Sequence, residues 1–141
     1  MLLPDVNVFV YAHRPESIRH SQTKQWLAAA LGGVEPLAVS ELVLSSFLRL
    51  VTSRSVFKDP TPLSVALEFC DTTLASPASV VVRPGTRHWA LFAELCRDAQ
   101  VKGNLVPDAY LAALCIEHGA ALVTFDAGFR RFQRLKLAAI P

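Results

Sequence analysis

Short apolar runs that end in an acid or a turn alternate along this chain with stretches whose apolar residues recur on a helical period. Leu2-Leu3-Pro4-Asp5-Val6 reads as a first strand closed by an acid, with Pro4 tolerated near a strand start, and a helix is expected from Asn7. Ser17 to Leu31 places Ile18, Trp26, Leu27 and Leu31 at helical spacing and stops at Gly32-Gly33. Leu37-Ala38-Val39 predicts a second strand, after which Ser40 caps a helix running to about Ser53. Leu42, Val43, Leu44, Phe47, Leu48, Leu50 and Val51 make that helix apolar on nearly every side, so one sheet face cannot cover it.

Thr61-Pro62 reads as a cap and first-turn pair for a helix to about Ala75. Three consecutive valines within Ser79 to Arg83 predict a buried strand, and Arg87 to about Ala99 a helix built on Trp89, Phe92 and Cys96. Gly103-Asn104-Leu105 is a turn; Pro107 opens a helix that carries Asp108 and ends at His118-Gly119. Ala121 to Phe125 predicts a strand closed by Asp126, and the tail adds a short helix at Gly128 to Phe132 and a last strand at Leu135 to Ala138. Strands alternating with helices give an α/β fold, a three-layer α/β/α sandwich with a parallel central sheet. The expected organisation is one domain over residues 1–141, long enough to close its own core.

Composition changes that picture in one respect. With 52% hydrophobic and 18% charged residues the chain is more apolar than a free monomer of this size requires, so some surface is expected to meet a partner. A net charge of +2 is too weak to argue nucleic-acid binding, although Arg, the side chain that forks onto phosphate, supplies most of the basic residues. Cys70, Cys96 and Cys115 lack CxxC spacing and read as reduced, small hydrophobes. No basic leader precedes Leu2-Leu3, and Asp5 and Asn7 interrupt the apolar run, so a soluble, cytoplasmic protein without a membrane span is expected.

The candidate chemistry lies in four acids. Asp5 and Asp126 close predicted strands, while Glu41 and Asp108 open predicted helices. In a parallel α/β sheet those positions share one rim, where ligands bind. Each acid taken alone has an ordinary explanation as a helix cap, an Asx turn or a partner of a helix dipole. Convergence of all four is not required by any of those roles. Carboxylates gathered together repel and raise one another's pKa unless a cation lies between them, and hard oxygen donors without His or Cys suit Mg²⁺, with Mn²⁺ able to substitute. His13, His20, His88 and His118 are scattered and form no zinc pattern; they read as surface or capping residues. GxGxxG, GxxxxGK[ST] and GxSxG are absent, which removes support for dinucleotide, P-loop and serine-hydrolase readings. Carboxylate-held metal without a nucleotide cradle points to phosphodiester hydrolysis by water.

Asp5-Val6-Asn7-Val8-Phe9-Val10-Tyr11-Ala12, Glu41 within Ser-Glu-Leu-Val-Leu-Ser-Ser-Phe-Leu-Arg-Leu-Val-Thr, Gly-Asn-Leu-Val-Pro-Asp108-Ala and Val-Thr-Phe-Asp126-Ala-Gly-Phe resemble the acidic blocks of a PIN domain. The resemblance runs from Leu2 to about Leu137 and is nearest to the VapC toxins of bacterial toxin–antitoxin pairs. It implies a Mg²⁺-dependent endoribonuclease that cuts a structured cellular RNA, of the tRNA or rRNA class, and is held inactive by a cognate VapB antitoxin. Asp5, Glu41 and Asp108 match the family's catalytic metal ligands, and Asp126 matches a fourth acid that ligates a metal or orders its waters. Asn7 and Thr124 match small polar positions beside the pocket; for Asn7 a helix cap is an equal alternative. A homodimer is also implied, with the helix from Ser40 and the aromatic helix around Trp89 as faces for a second subunit and an antitoxin segment.

Arg14, Arg49, Arg54, Lys58, Arg130, Arg131 and Arg134 are candidates to hold RNA backbone around the rim, against the alternative of plain solvated charge. A receiver-like signalling module also has an acidic Mg²⁺ pocket, but it needs neighbouring acids after the first strand, and here Val6 and Asn7 follow Asp5. A PIN scaffold that binds a partner without catalysis is the remaining alternative, opposed by the intact acidic set.

Overall fold

The computed structural model describes all of residues 1–141. Its strands are short: β1 (Leu2–Pro4), β2 (Leu37–Val39), β3 (Ser79–Val81), β4 (Ala121–Val123) and β5 (Leu137–Ala138). They form one sheet in the order β3-β2-β1-β4-β5, and every pairing is parallel. The helices are α1 (Val6–His13), α2 (His20–Leu31), α3 (Glu41–Val51), α4 (Leu63–Ala75), α5 (His88–Asp98) and α6 (Val106–His118). α3 packs on α1 and α4, while α5 and α6 pack on each other. The expected α/β/α architecture with a parallel sheet is the one observed. No helix is long and apolar enough to cross a membrane.

Local chemistry sets the element ends. β1 stops two residues before the expected Val6 and α1 starts one residue before the expected Asn7, because Asp5 takes an extended conformation and caps α1, its carboxylate accepting from Val6 N. Gly119, at φ +66°, closes α6 in the left-handed conformation that its lack of a Cβ permits. Thr61 is not the cap of α4; Pro62 holds that position and Thr61 is buried, bonded by Arg14 and facing His13.

The core lies between the sheet and the helices, with Leu3, Phe9, Phe47, Leu122 and Phe129 buried at its centre. Phe47 stacks on Phe69 at 4.8 Å, and the His13 ring meets both edge-on. Several sequence expectations are corrected here. β3 is an edge strand with Val80 exposed, so its valine run covers one face only. Ile18 precedes α2 in a turn and is 100% exposed. Trp89 is 71% exposed, and buried His88 takes the inward position instead, its ring against Tyr110 at 4.3 Å and its Nε2 donating to Tyr110 O. Cys70 and Cys115 are buried thiols and Cys96 is half-buried; burial pushes the Cys70 thiol up to about 11 and the Cys115 thiol up to about 12.

Candidate active site at the carboxyl edge of the sheet

Strand order and register decide what meets at the rim. Leaving β1, the chain runs to β2 on one side and later returns to β4 on the other, so the β1–β4 boundary is the point where the winding reverses. The pairing Pro4↔Val123 and the bond from Asp5 N to Val123 O set Asp5 level with Thr124 just past the strand ends. Asp126 follows two residues later and caps a 3₁₀ turn by accepting from Gly128 N. Asp108 stands in the first turn of α6, behind Pro107.

Asp5 is 7% exposed, and its carboxylate is tied down by three donors. Oδ1 accepts from Val6 N at 2.7 Å; Oδ2 accepts from Thr124 Oγ1 at 2.7 Å and from Asn7 Nδ2 at 3.0 Å. Asn7 Nδ2 also reaches Thr124 Oγ1 at 3.1 Å, and Asp126 N donates to the same hydroxyl at 3.1 Å. Asn7 is therefore bound into the rim and does not cap the helix. Thr124 is the hub that joins the ends of β1 and β4.

The electrostatics show which acids are neighbours. Burial pushes the Asp5 carboxyl above its usual range, against the bonds from Thr124 and Val6, and the Asp126 charge adds to the rise. Asp108 is pushed up to about 6, first by desolvation, then by the charges of Asp126 and Asp5, with Arg131 opposing. The three aspartates thus form one mutually repelling group.

Glu41 does not join them. Arg83 grips it in a fork, Nε to Oε2 at 2.9 Å and Nη2 to Oε1 at 2.7 Å, and holds its carboxyl below the usual range. The expected meeting of all four acids is corrected to a group of three with Glu41 drawn aside. No three His, Cys, Asp or Glu side chains stand in a mutual geometry that holds a metal ion. The donor chemistry nevertheless fits a hard cation: the oxygens are carboxylates whose repulsion a divalent ion relieves, and Asp5 keeps one of about four lone-pair sites free, on Oδ1.

The basic candidates divide. Arg14 is mostly buried and structural, bonded to Glu16, Thr61 Oγ1 and Asp59 O and lying 4.3 Å over the Phe57 ring, so it is removed from the set that could hold RNA. Arg134 pairs with Glu94, and Arg131 bonds Gly128 O while its charge bears on Asp108. Arg49, Arg54, Lys58 and Arg130 are exposed and outside every ion pair. Arg83 was not singled out from the sequence. The available signal was that Glu41 and Arg83 each lie two residues beyond β2 and β3, and it becomes readable only once those strands are known to be neighbours.

Beside this rim α3, the stretch after β3, α5 and α6 enclose an apolar groove of about 640 Å³, walled by Leu42, Val82, Phe92, Pro107 and Tyr110 and edged by Glu41 and Arg83.

The profile of the PIN domain matches residues 2–135. A VapC ribonuclease of Mycobacterium bovis is 43% identical over 96% of this chain and 92% of its own length. Ribonuclease VapC25 of Mycobacterium tuberculosis is 39% identical over 96% of both. Among solved structures, the crystal structure of VapBC2 from Rickettsia felis bound to a DNA fragment from their promoter matches with a TM-score of 0.74 over 99% of this chain and 98% of that one. At 19% identity that match is a likeness of fold. The ordered acidic blocks, the parallel sheet and the relatives agree: the chain belongs to the PIN-domain family, in its VapC ribonuclease branch.

Proposed function

We propose that this chain is a Mg²⁺-dependent endoribonuclease toxin that hydrolyses phosphodiester bonds of a structured cellular RNA and is restrained by a VapB-type antitoxin. The observation that carries the reading is the coupling of Asp5, Asp108 and Asp126 at the point where the sheet's winding reverses, with Asp108 raised to about 6. The names of its relatives support RNA as substrate, and the VapB–VapC pairing named for the Rickettsia felis structure supports the antitoxin.

Asp5, Asp108 and Asp126, with Glu41 once free of Arg83, are the residues that would hold the cation. A bound Mg²⁺ supplies Lewis acidity that lowers the pKa of water and offsets charge on the scissile phosphate. The chain's own part is positioning. Thr124 and Asn7 fix the Asp5 carboxylate through Oδ2 and leave Oδ1 as the oxygen with an open site. Asp108, held up to about 6 by burial and by the charges of Asp126 and Asp5 while the site is metal-free, is the carboxylate whose ionised form a cation there would favour most. The amino ends of α1, α3 and α6 share this rim and favour an anionic backbone there. Arg130, in the turn that Asp126 caps, is the exposed cation beside the rim available for a flanking phosphate, while Arg49 and Arg54 stand at the far end of α3, where they could meet only a more distant stretch of RNA. Exposed Leu42 on α3 and Trp89 on α5 offer apolar surface to a second subunit and to the antitoxin.

The test is cleavage of total RNA by the purified chain in Mg²⁺, in EDTA, and as Asp108→Ala. Cleavage that disappears in both controls supports the reading. Undiminished cleavage by the variant refutes the site, and a folded wild-type chain that cuts nothing favours a scaffold without catalysis.

A further inference from the structure

β2 and β3 are paired in register as Leu37↔Ser79, Ala38↔Val80 and Val39↔Val81, and Val82 N continues the ladder to Val39 O at 3.0 Å. Glu41 and Arg83 therefore leave adjacent strands side by side. The Arg83 backbone is fixed there: its carbonyl accepts from His118 Nε2 at 2.7 Å, and two residues on Gly85 N and then Arg87 N donate to the Glu117 carboxylate at 2.9 and 3.1 Å. With its main chain anchored to the last turn of α6, Arg83 has only its side chain to move.

That side chain occupies both oxygens of Glu41. A divalent cation that takes Glu41 must bring its charge against the guanidinium bonded to both oxygens and turn the carboxylate out of the fork. We propose that Arg83 is a positioning residue that competes with the divalent cation for Glu41, so that the fourth acid enters the site only when the fork lets go. The pair is solvent-exposed on both sides, which makes it weak enough to open. The proposal rests on the reading of the acidic rim as a cation site.

The test is calorimetric titration of the full-length chain with Mn²⁺ alone. Arg83→Gln tightens Mn²⁺ binding about threefold or more. In a Glu41→Gln background the same substitution has no effect, because no carboxylate is left to release. Arg87→Gln, which removes an equal charge from the same loop, leaves the affinity unchanged. Equal or weaker binding by Arg83→Gln overturns the proposal, and so does tightening of the same size in the Glu41→Gln background or with Arg87→Gln. If Arg83→Gln does not fold, Arg83→Met, which keeps the aliphatic stem and removes both the charge and the fork, carries the test in the same direction. Wild type that binds Mn²⁺ and loses it in Asp108→Asn, with no gain in Arg83→Gln, sinks this proposal alone. No binding by any of the chains sinks the cation site and this proposal together.

Discussion

Thr124 Oγ1 donates a 2.7 Å hydrogen bond to Asp5 Oδ2, joining residues 119 positions apart. The bond spans the boundary where the sheet's winding reverses, and the same hydroxyl accepts from Asn7 Nδ2 and Asp126 N. One oxygen thereby sets the conformation of the β4 end and the direction in which the Asp5 carboxylate points.

Thr124→Val keeps the shape and removes the hydroxyl. Asp5 is buried and loses its shortest side-chain donor, so the variant should be less stable by about 1–3 kcal/mol. Urea unfolding in EDTA measures the difference. Thr124→Ser retains the donor and should recover most of it; a Val variant with an unchanged midpoint would show that the bond carries no stability.

Asp108 predicts a pH dependence of opposite sense to that of an ordinary paired carboxylate. Its folded-state value of about 6 lies above the usual 3.8. Between those values the folded chain holds the proton more tightly than the unfolded one, so stability falls as pH rises through this window. In EDTA, Asp108→Asn should therefore be more stable than wild type at pH 7.5, by roughly 1 kcal/mol after discounting for partial exposure, and should lose that advantage by pH 4. Melting temperatures across the range check it, and an advantage that grew toward acid would contradict the assignment.

Gly119→Ala isolates backbone conformation. A Cβ there would meet nothing within 4 Å, so the cost is that of φ +66° alone, about 1 kcal/mol. Denaturation of the variant should show that loss with RNA cleavage intact. A loss several times larger would mean the turn after α6 is packed against something.

Cation binding should be visible in stability. An ion that binds only the folded chain stabilises it by about 2.7 kcal/mol at a hundredfold excess over its Kd. Mn²⁺ or Mg²⁺ should raise the melting temperature of wild type and leave Asp5→Asn unmoved. Equal shifts in both would mark a nonspecific ionic effect.

The fold was largely legible because its signals are local. Leu37-Ala38-Val39 was readable residue for residue, being a continuous apolar run before Ser40, which takes the N-cap position of α3 although its side chain makes no capping bond. Asp5, Asp108 and Asp126 were legible as members of one rim because element order alone takes strand ends and helix starts to the same edge. Pairing across elements was not. Periodicity identifies α5 but cannot say that His88 turns inward and Trp89 outward, since that depends on the Tyr110 ring supplied by α6. Thr124 looked like a neighbour of the pocket, and its role as hub appears only when β4 is set beside β1. The fork of Arg83 on Glu41 depends likewise on the β2–β3 register, which no local pattern encodes.

The most direct test of the central claim is the chemistry of the cut ends. A single end-labelled RNA substrate of the wild-type chain, incubated with Mg²⁺, should yield 5′-phosphate and 3′-hydroxyl termini, because water and not the ribose 2′-hydroxyl is the nucleophile, and Asp5→Asn should yield none. Products ending in a 2′,3′-cyclic phosphate, or the same products from Asp5→Asn, would contradict hydrolysis at this acidic rim.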